Sequence, residues 1–154
     1  MTGETLRSNN VLLADEGQTR ALGAALARRL RAGDVVFLQG GLGAGKTTLA
    51  RGLIGAWTGE EEVPSPTYTL VQTYEGEAGP LWHMDLYRLK DPEDAMELGL
   101  DMALGDALLV VEWPERLGPY APEDRIDVTL SPHGTGRIAA ITGRGAHAGF
   151  RLDD

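Results

Sequence analysis

The chain has 154 residues, 23 of them acidic and 14 basic for a formal charge of −9, and it is 42% hydrophobic and 24% charged. Such a length fits one domain spanning residues 1–154, and such ordinary usage excludes wholesale disorder. With no cysteine, disulfides, thiolate zinc sites and a cysteine nucleophile are excluded.

No apolar run approaches the ~18 residues of a membrane span, and the opening MTGETLRSNN is too polar for a secretory signal. A cytoplasmic protein with no membrane contact is the expectation. So acidic a chain is poorly suited to gripping a phosphate backbone alone, because that affinity comes largely from Lys and Arg.

In chain order, Asp15 followed by Gln18 forms a capping-box pattern, and Leu22, Leu26 and Leu30 recur every four residues. They predict a helix over 16–31, with Arg28, Arg29 and Arg31 at its cation-favouring end and Gly33 as its stop. The continuous apolar run 35–39 is too short for a helix and reads as a strand buried on both faces. A second helix is expected from about Thr47 to Trp57, ended by Gly59. Glu60–Glu62 and the prolines after it read as a solvated loop. Residues 67–73 and 81–85 read as strands, and Asp91-Pro92 as a helix start. The run 107–112 is another apolar strand, ending in an acid. Ile126, Val128 and Leu130 alternate before the turn at 133–136, and 137–142 returns, which predicts a hairpin at a sheet edge. The sum is an α/β fold with a mixed, partly parallel central sheet and a C-terminal β-hairpin.

Gly40-Gly41-Leu42-Gly43-Ala44-Gly45-Lys46-Thr47 matches G-x-x-x-x-G-K-[ST] without a mismatch, between an apolar strand and an amphipathic helix. Glycines let backbone N–H groups turn into a concave anion nest, and the helix N-terminus adds partial positive charge. Lys46, one of only two lysines, can reach the β- and γ-phosphates, and the Thr47 hydroxyl can ligate Mg²⁺. The alternative is a glycine-rich turn that binds nothing. Glu112 and Asp85 each end a predicted strand; one would hold the metal or its water shell and the other would orient or deprotonate the attacking water. Thr67, after Ser65-Pro66, is either a reporter of the γ-phosphate or simply the start of a strand. The chain has neither the N-K-x-D that reads guanine, its only asparagines being Asn9 and Asn10, nor a D-x-x-G, which favours ATP over GTP.

These residues resemble the bacterial TsaE (YjeE) family of P-loop ATPases. The resemblance rests on the P-loop with Thr48 and Arg51-Gly52, on Ser65-Pro66-Thr67-Tyr68-Thr69-Leu70-Val71, on His83-Met84-Asp85-Leu86-Tyr87-Arg88-Leu89, and on Val111-Glu112-Trp113-Pro114-Glu115. The motifs fall in the family's order across about residues 12–116. The resemblance implies a three-layer fold of the P-loop NTPase type, that Thr47 and Glu112 ligate Mg²⁺, that 42–48 hold the phosphates of ATP, and that Asp85 acts near the γ-phosphate. It also implies a switch-like role for Thr67, a place for Trp113 beside the site, and adenine contacts near Glu16 and Arg137. Without it, Trp113 reads as a core aromatic. Gly41 is a departure, since many members carry Asp there, but only backbone should matter at that position.

As for function, the resemblance implies an ATPase that drives the cycle of a complex transferring threonylcarbamoyl to adenine 37 of ANN-decoding tRNAs. Its partners would be the two ASKHA-type subunits of the TsaB and TsaD families, and tRNA would be reached through them. A small-molecule P-loop kinase is the rival, disfavoured because the arginines after residue 87 are scattered rather than clustered into a lid. A nucleotide-gated binding module with negligible turnover is the third reading.

Overall fold

The apolar runs assemble into one seven-stranded sheet in a computed structural model that describes residues 10–41, 43–60 and 70–152. Its elements are β1 (Asn10–Leu13), α1 (Glu16–Arg29), β2 (Val35–Gln39), α2 (Lys46–Thr58), β3 (Val71–Gly76), β4 (Gly79–Asp85), α3 (Asp94–Glu97), α4 (Leu100–Ala103), β5 (Leu108–Glu112), β6 (Arg125–His133) and β7 (Gly136–Arg144). The spatial order is β1-β7-β6-β2-β5-β4-β3. β6, β2, β5 and β4 run parallel, while β3 on one side and β7 and β1 on the other run antiparallel. The sheet is therefore mixed, as its sequence pattern predicts.

A parallel centre must be covered on both faces, and alternation along the strands feeds two cores. Val36, Leu38, Leu81, Leu108 and Val110 pack with Leu49 and Leu53 of α2 and Leu22 and Leu26 of α1. Val35, Phe37, Met84, Leu109 and Val111 pack with Ala95, Leu100 and Leu117 on the opposite side. α1 and α2 approach closely because each carries a glycine at the crossing. A Cβ at Gly23 would lie 2.1 Å from the Leu49 carbonyl oxygen, and one at Gly52 would lie 2.1 Å from that of Arg20.

α1 starts as its pattern predicts, with the Asp15 side chain accepting from the Gln18 amide at 2.9 Å. The returning bond differs: the Gln18 side-chain oxygen accepts from Ala14 N rather than from the cap residue itself. α1 also ends two residues early, because Leu30 turns extended and buries its side chain. The helix expected from Asp91-Pro92 opens as a turn, and Gly99, at φ 101°, divides it into α3 and α4. Of the strand expected over 67–73, residues 67–69 lie outside the described residues, and β3 continues to Gly76.

The C-terminal hairpin is not at an edge. β6 pairs with β2 through Val36–Ile126 and Leu38–Val128, and β7 is covered by β1, which the sequence pattern did not signal. Ile126, Val128 and Leu130 all bury fully or nearly so, and Asp127, also buried, is held by Arg125 and Arg144. A strand with both neighbours taken can bury a carboxylate only when it is paired. Among the described residues, no helix is long and apolar enough to cross a membrane.

Candidate nucleotide site

β2 delivers its chain end to a loop in which Gly40, Gly43 and Gly45 all have positive φ, at 145°, 77° and 101°. Those conformations strain any residue with a Cβ. At Gly40 a Cβ would also strike the Leu130 carbonyl oxygen at 2.7 Å. The loop closes on the N-terminus of α2, capped by Gly45 without a side-chain bond, so the first amides of the helix remain free for a ligand.

Lys46 begins α2 and is 5% exposed. Its ammonium donates to the Gly40 carbonyl at 2.8 Å and lies 3.2 Å from the centroid of the Trp113 ring. Burial holds its pKa below the ordinary lysine value, against the opposing pull of Glu112, Glu115 and Asp85. One residue on, the Thr47 hydroxyl donates to Glu112 Oε1 at 3.2 Å.

Glu112 and Asp85 come from adjacent parallel strands and are register partners. Both lie on the face of the sheet that carries α2, because Leu81, Leu108 and Val110, an even number of residues before them, pack with that helix. Glu112 is 2% exposed, and its second oxygen, Oε2, is 2.7 Å from His83 Nε2. Asp85 is half-buried and accepts from the Tyr87 amide at 3.1 Å. Burial raises the Asp85 pKa above the ordinary aspartate value, and the charge of Glu112 raises it further, against the Tyr87 hydrogen bond.

This upward shift predicts a stability effect with a definite sign. A carboxyl whose folded pKa is raised costs stability above that pKa, and the cost disappears once pH falls below the ordinary value. Asp85→Asn keeps an acceptor for the Tyr87 amide and removes the charge. It is expected to raise the thermal midpoint of the nucleotide-free protein at pH 7 and to leave it unchanged near pH 3, as scanning calorimetry would read. A lower midpoint at pH 7 would contradict the shift.

Trp113 follows Glu112 and is the one non-glycine residue with positive φ among those described, at φ 59° and ψ 51°. Tertiary contacts hold it there. Its ring faces Lys46, packs 4.9 Å from Tyr87 at a 46° tilt, and also borders the second core. The core and site readings of this residue thus both describe its surroundings. Arg137 reaches from β7 to the loop, its guanidinium donating to the Gly43 carbonyl at 3.4 Å and lying against Gly45.

Glu16, Gly43, Ala44, Gly45, Lys46, Thr47, Thr48, Asp85, Glu112, Trp113 and Arg137 line one cavity of about 310 Å³, together with Tyr87. A second cavity of about 410 Å³ adjoins it between the start of α1 and the β6–β7 turn; Glu16, Gly43, Ala44 and Arg137 border both. Leu42 and Thr67 lie outside the described residues. Sequence reasoning missed Tyr87 and His83 as parts of the site. The signal available for His83 was a titratable residue at an inward position of a buried strand.

The residues fit a nucleotide and a hard cation. The loop turns through positive φ at Gly40, Gly43 and Gly45 before the N-terminus of α2, and the Thr47–Glu112 pair offers the oxygen donors that Mg²⁺ takes alongside phosphate and water. A glycine-rich loop at the carboxyl end of a central parallel strand, closing on a helix with Lys and Thr in its first turn, defines the class of P-loop nucleotide-binding folds.

Within that class, the model of the family described as the threonylcarbamoyl adenosine biosynthesis protein TsaE matches residues 13–139. The chain is 41% identical over 138 residues to the tRNA threonylcarbamoyladenosine biosynthesis protein TsaE of a Nostoc species, covering 86% of this chain and 84% of that one. It is 47% identical over 114 residues to the protein of the same name from Streptomyces coelicolor, covering 72% and 77%. A crystal structure of Bacillus subtilis YdiB superposes with a TM-score of 0.76 at 27% identity, over 91% of this chain and 88% of that one. The chain belongs to the TsaE family.

Proposed function

We propose that this protein is a cytoplasmic, single-domain, Mg²⁺-dependent ATPase serving the threonylcarbamoyladenosine modification of tRNA. The observation that carries the reading is the convergence of Lys46, Thr47, Asp85 and Glu112 on one cavity at the mouth of a glycine cradle. There the loop amides and the α2 N-terminus would hold the β-phosphate, and Lys46 would reach the β- and γ-phosphates. Arg137 lies over the loop where it would add a second positive charge. The base would occupy the adjoining cavity, walled by Ala14, Glu16 and the β6–β7 turn.

Thr47 and Glu112 would hold Mg²⁺, which when bound draws charge from the phosphoryl oxygens. Asp85, beside Glu112 and with a raised pKa, orients the attacking water and accepts its proton. The names of the relatives support the pathway. The partners we propose are the TsaB- and TsaD-type subunits, with tRNA reached through them, in keeping with the −9 charge of this chain.

The test is steady-state ATP hydrolysis by the pure protein and again with both partner proteins. Slow turnover alone and at least a tenfold rise with partners is expected, since orientation and electrostatic placement supply most of the catalysis in phosphoryl transfer. Full activity in isolation, unchanged by partners, would favour a self-sufficient enzyme such as a kinase.

A further inference from the structure

The buried face of β4 carries one polar side chain that the site as described leaves without a task. His83 is 2% exposed, and its Nε2 lies 2.7 Å from Glu112 Oε2. Its other nitrogen, Nδ1, is buried without a hydrogen-bond partner. A carboxylate oxygen can only accept, so the Nε2 hydrogen is the one the contact uses. A hydrogen on Nδ1 would be an orphaned buried donor, which folded proteins avoid. The contacts therefore select the tautomer with its hydrogen on Nε2, donating to Glu112.

Glu112 is thus gripped at both oxygens, Oε1 by the Thr47 hydroxyl of α2 and Oε2 by His83 of β4. A glutamate has one more rotatable bond than an aspartate, and without the second grip its carboxylate could turn about the Thr47 contact. We infer that His83 is a positioning residue that fixes the Glu112 carboxylate, so that Oε1 and Thr47 Oγ1 present a preformed pair of oxygen ligands to the cation that accompanies the nucleotide. The inference rests on the proposed role of Glu112 as a metal ligand. Its general basis is that partners behind a metal ligand set its orientation, and losing one typically lowers metal affinity ~10–100-fold.

The experiment measures binding of ADP and of a non-hydrolysable ATP analogue by calorimetry, in Mg²⁺ and in EDTA. The proteins are wild type, His83→Leu, His83→Gln and Glu112→Gln. The quantity read is the gain in affinity that Mg²⁺ confers. His83→Leu, which removes the donor, is expected to reduce that gain roughly 10–100-fold while leaving EDTA affinity within about threefold. His83→Gln, which offers an amide donor at similar reach, is expected to restore most of it. A merely structural role would lower affinity in both media and would not be rescued by Gln.

Loss of the gain in Glu112→Gln with full retention in His83→Leu would overturn the positioning role alone. Retention in Glu112→Gln would overturn the ligand assignment beneath it. Should His83→Leu not fold, ¹⁵N–¹H spectra of the wild-type imidazoles decide: an exchange-protected Nε2–H for His83 is expected, and a hydrogen on Nδ1 alone would overturn the inference.

Discussion

Lys46→Ala is expected to reduce ATP affinity by about a hundredfold or more and to abolish any dependent tRNA modification. The ammonium is buried at the glycine-rich loop, where it donates to the Gly40 carbonyl and faces the Trp113 ring. Hydrogen bonds to charged groups contribute roughly 1.5–3 kcal/mol each, so losing contacts to two phosphates removes about 3 kcal/mol or more. Removing the ammonium also frees the Gly40 carbonyl and uncovers one face of Trp113, so a thermal melt must accompany the calorimetry. A folded variant that binds Mg²⁺–ATP like the wild type would refute the assignment of the loop as the phosphate site.

A comparably large effect is expected for Asp85→Asn, but on turnover. General-base assistance contributes typically 10²–10⁴-fold, and kcat should fall within that range while nucleotide affinity changes by no more than about threefold. Glu112→Gln should show the opposite split, weakening Mg²⁺-dependent binding about tenfold or more, because a metal ligand acts on the ground state as well as the transition state. Glutamine is the informative replacement, since it can still bond Thr47 and His83 while losing its charge. Affinity and kcat measured for both variants test the division, and the reverse pattern would exchange the two roles.

Much of the architecture is legible because it is local. β2 and β5 are each four apolar residues closed by a polar one, the pattern of a short strand covered on both faces. The α1 cap is written in Asp15 and Gln18, and the stop of α2 in Gly59, whose φ of 81° admits glycine most easily. The edges were harder to read. β1 begins with a polar residue and spans four positions, so neither length nor alternation announces it. The β6–β7 hairpin reads as an edge because its alternation resembles a half-exposed ribbon. Its interior place depends on a parallel pairing with β2, far away in sequence.

The candidate site divides in the same way. By itself the sequence determined the glycine-rich loop and the start of α2 at Lys46 and Thr47, since these are set by residues close together along the chain. It also marked Asp85 and Glu112 as acids at the ends of apolar strands. Only tertiary structure decided that these two acids are neighbours, because that follows from the β4–β5 register and not from spacing. The same holds for Arg137 against the loop, Tyr87 against Trp113, and His83 against Glu112. Each of these contacts joins separate elements or segments whose approach is set by sheet order and packing, and no pattern along the chain encodes the distance between them.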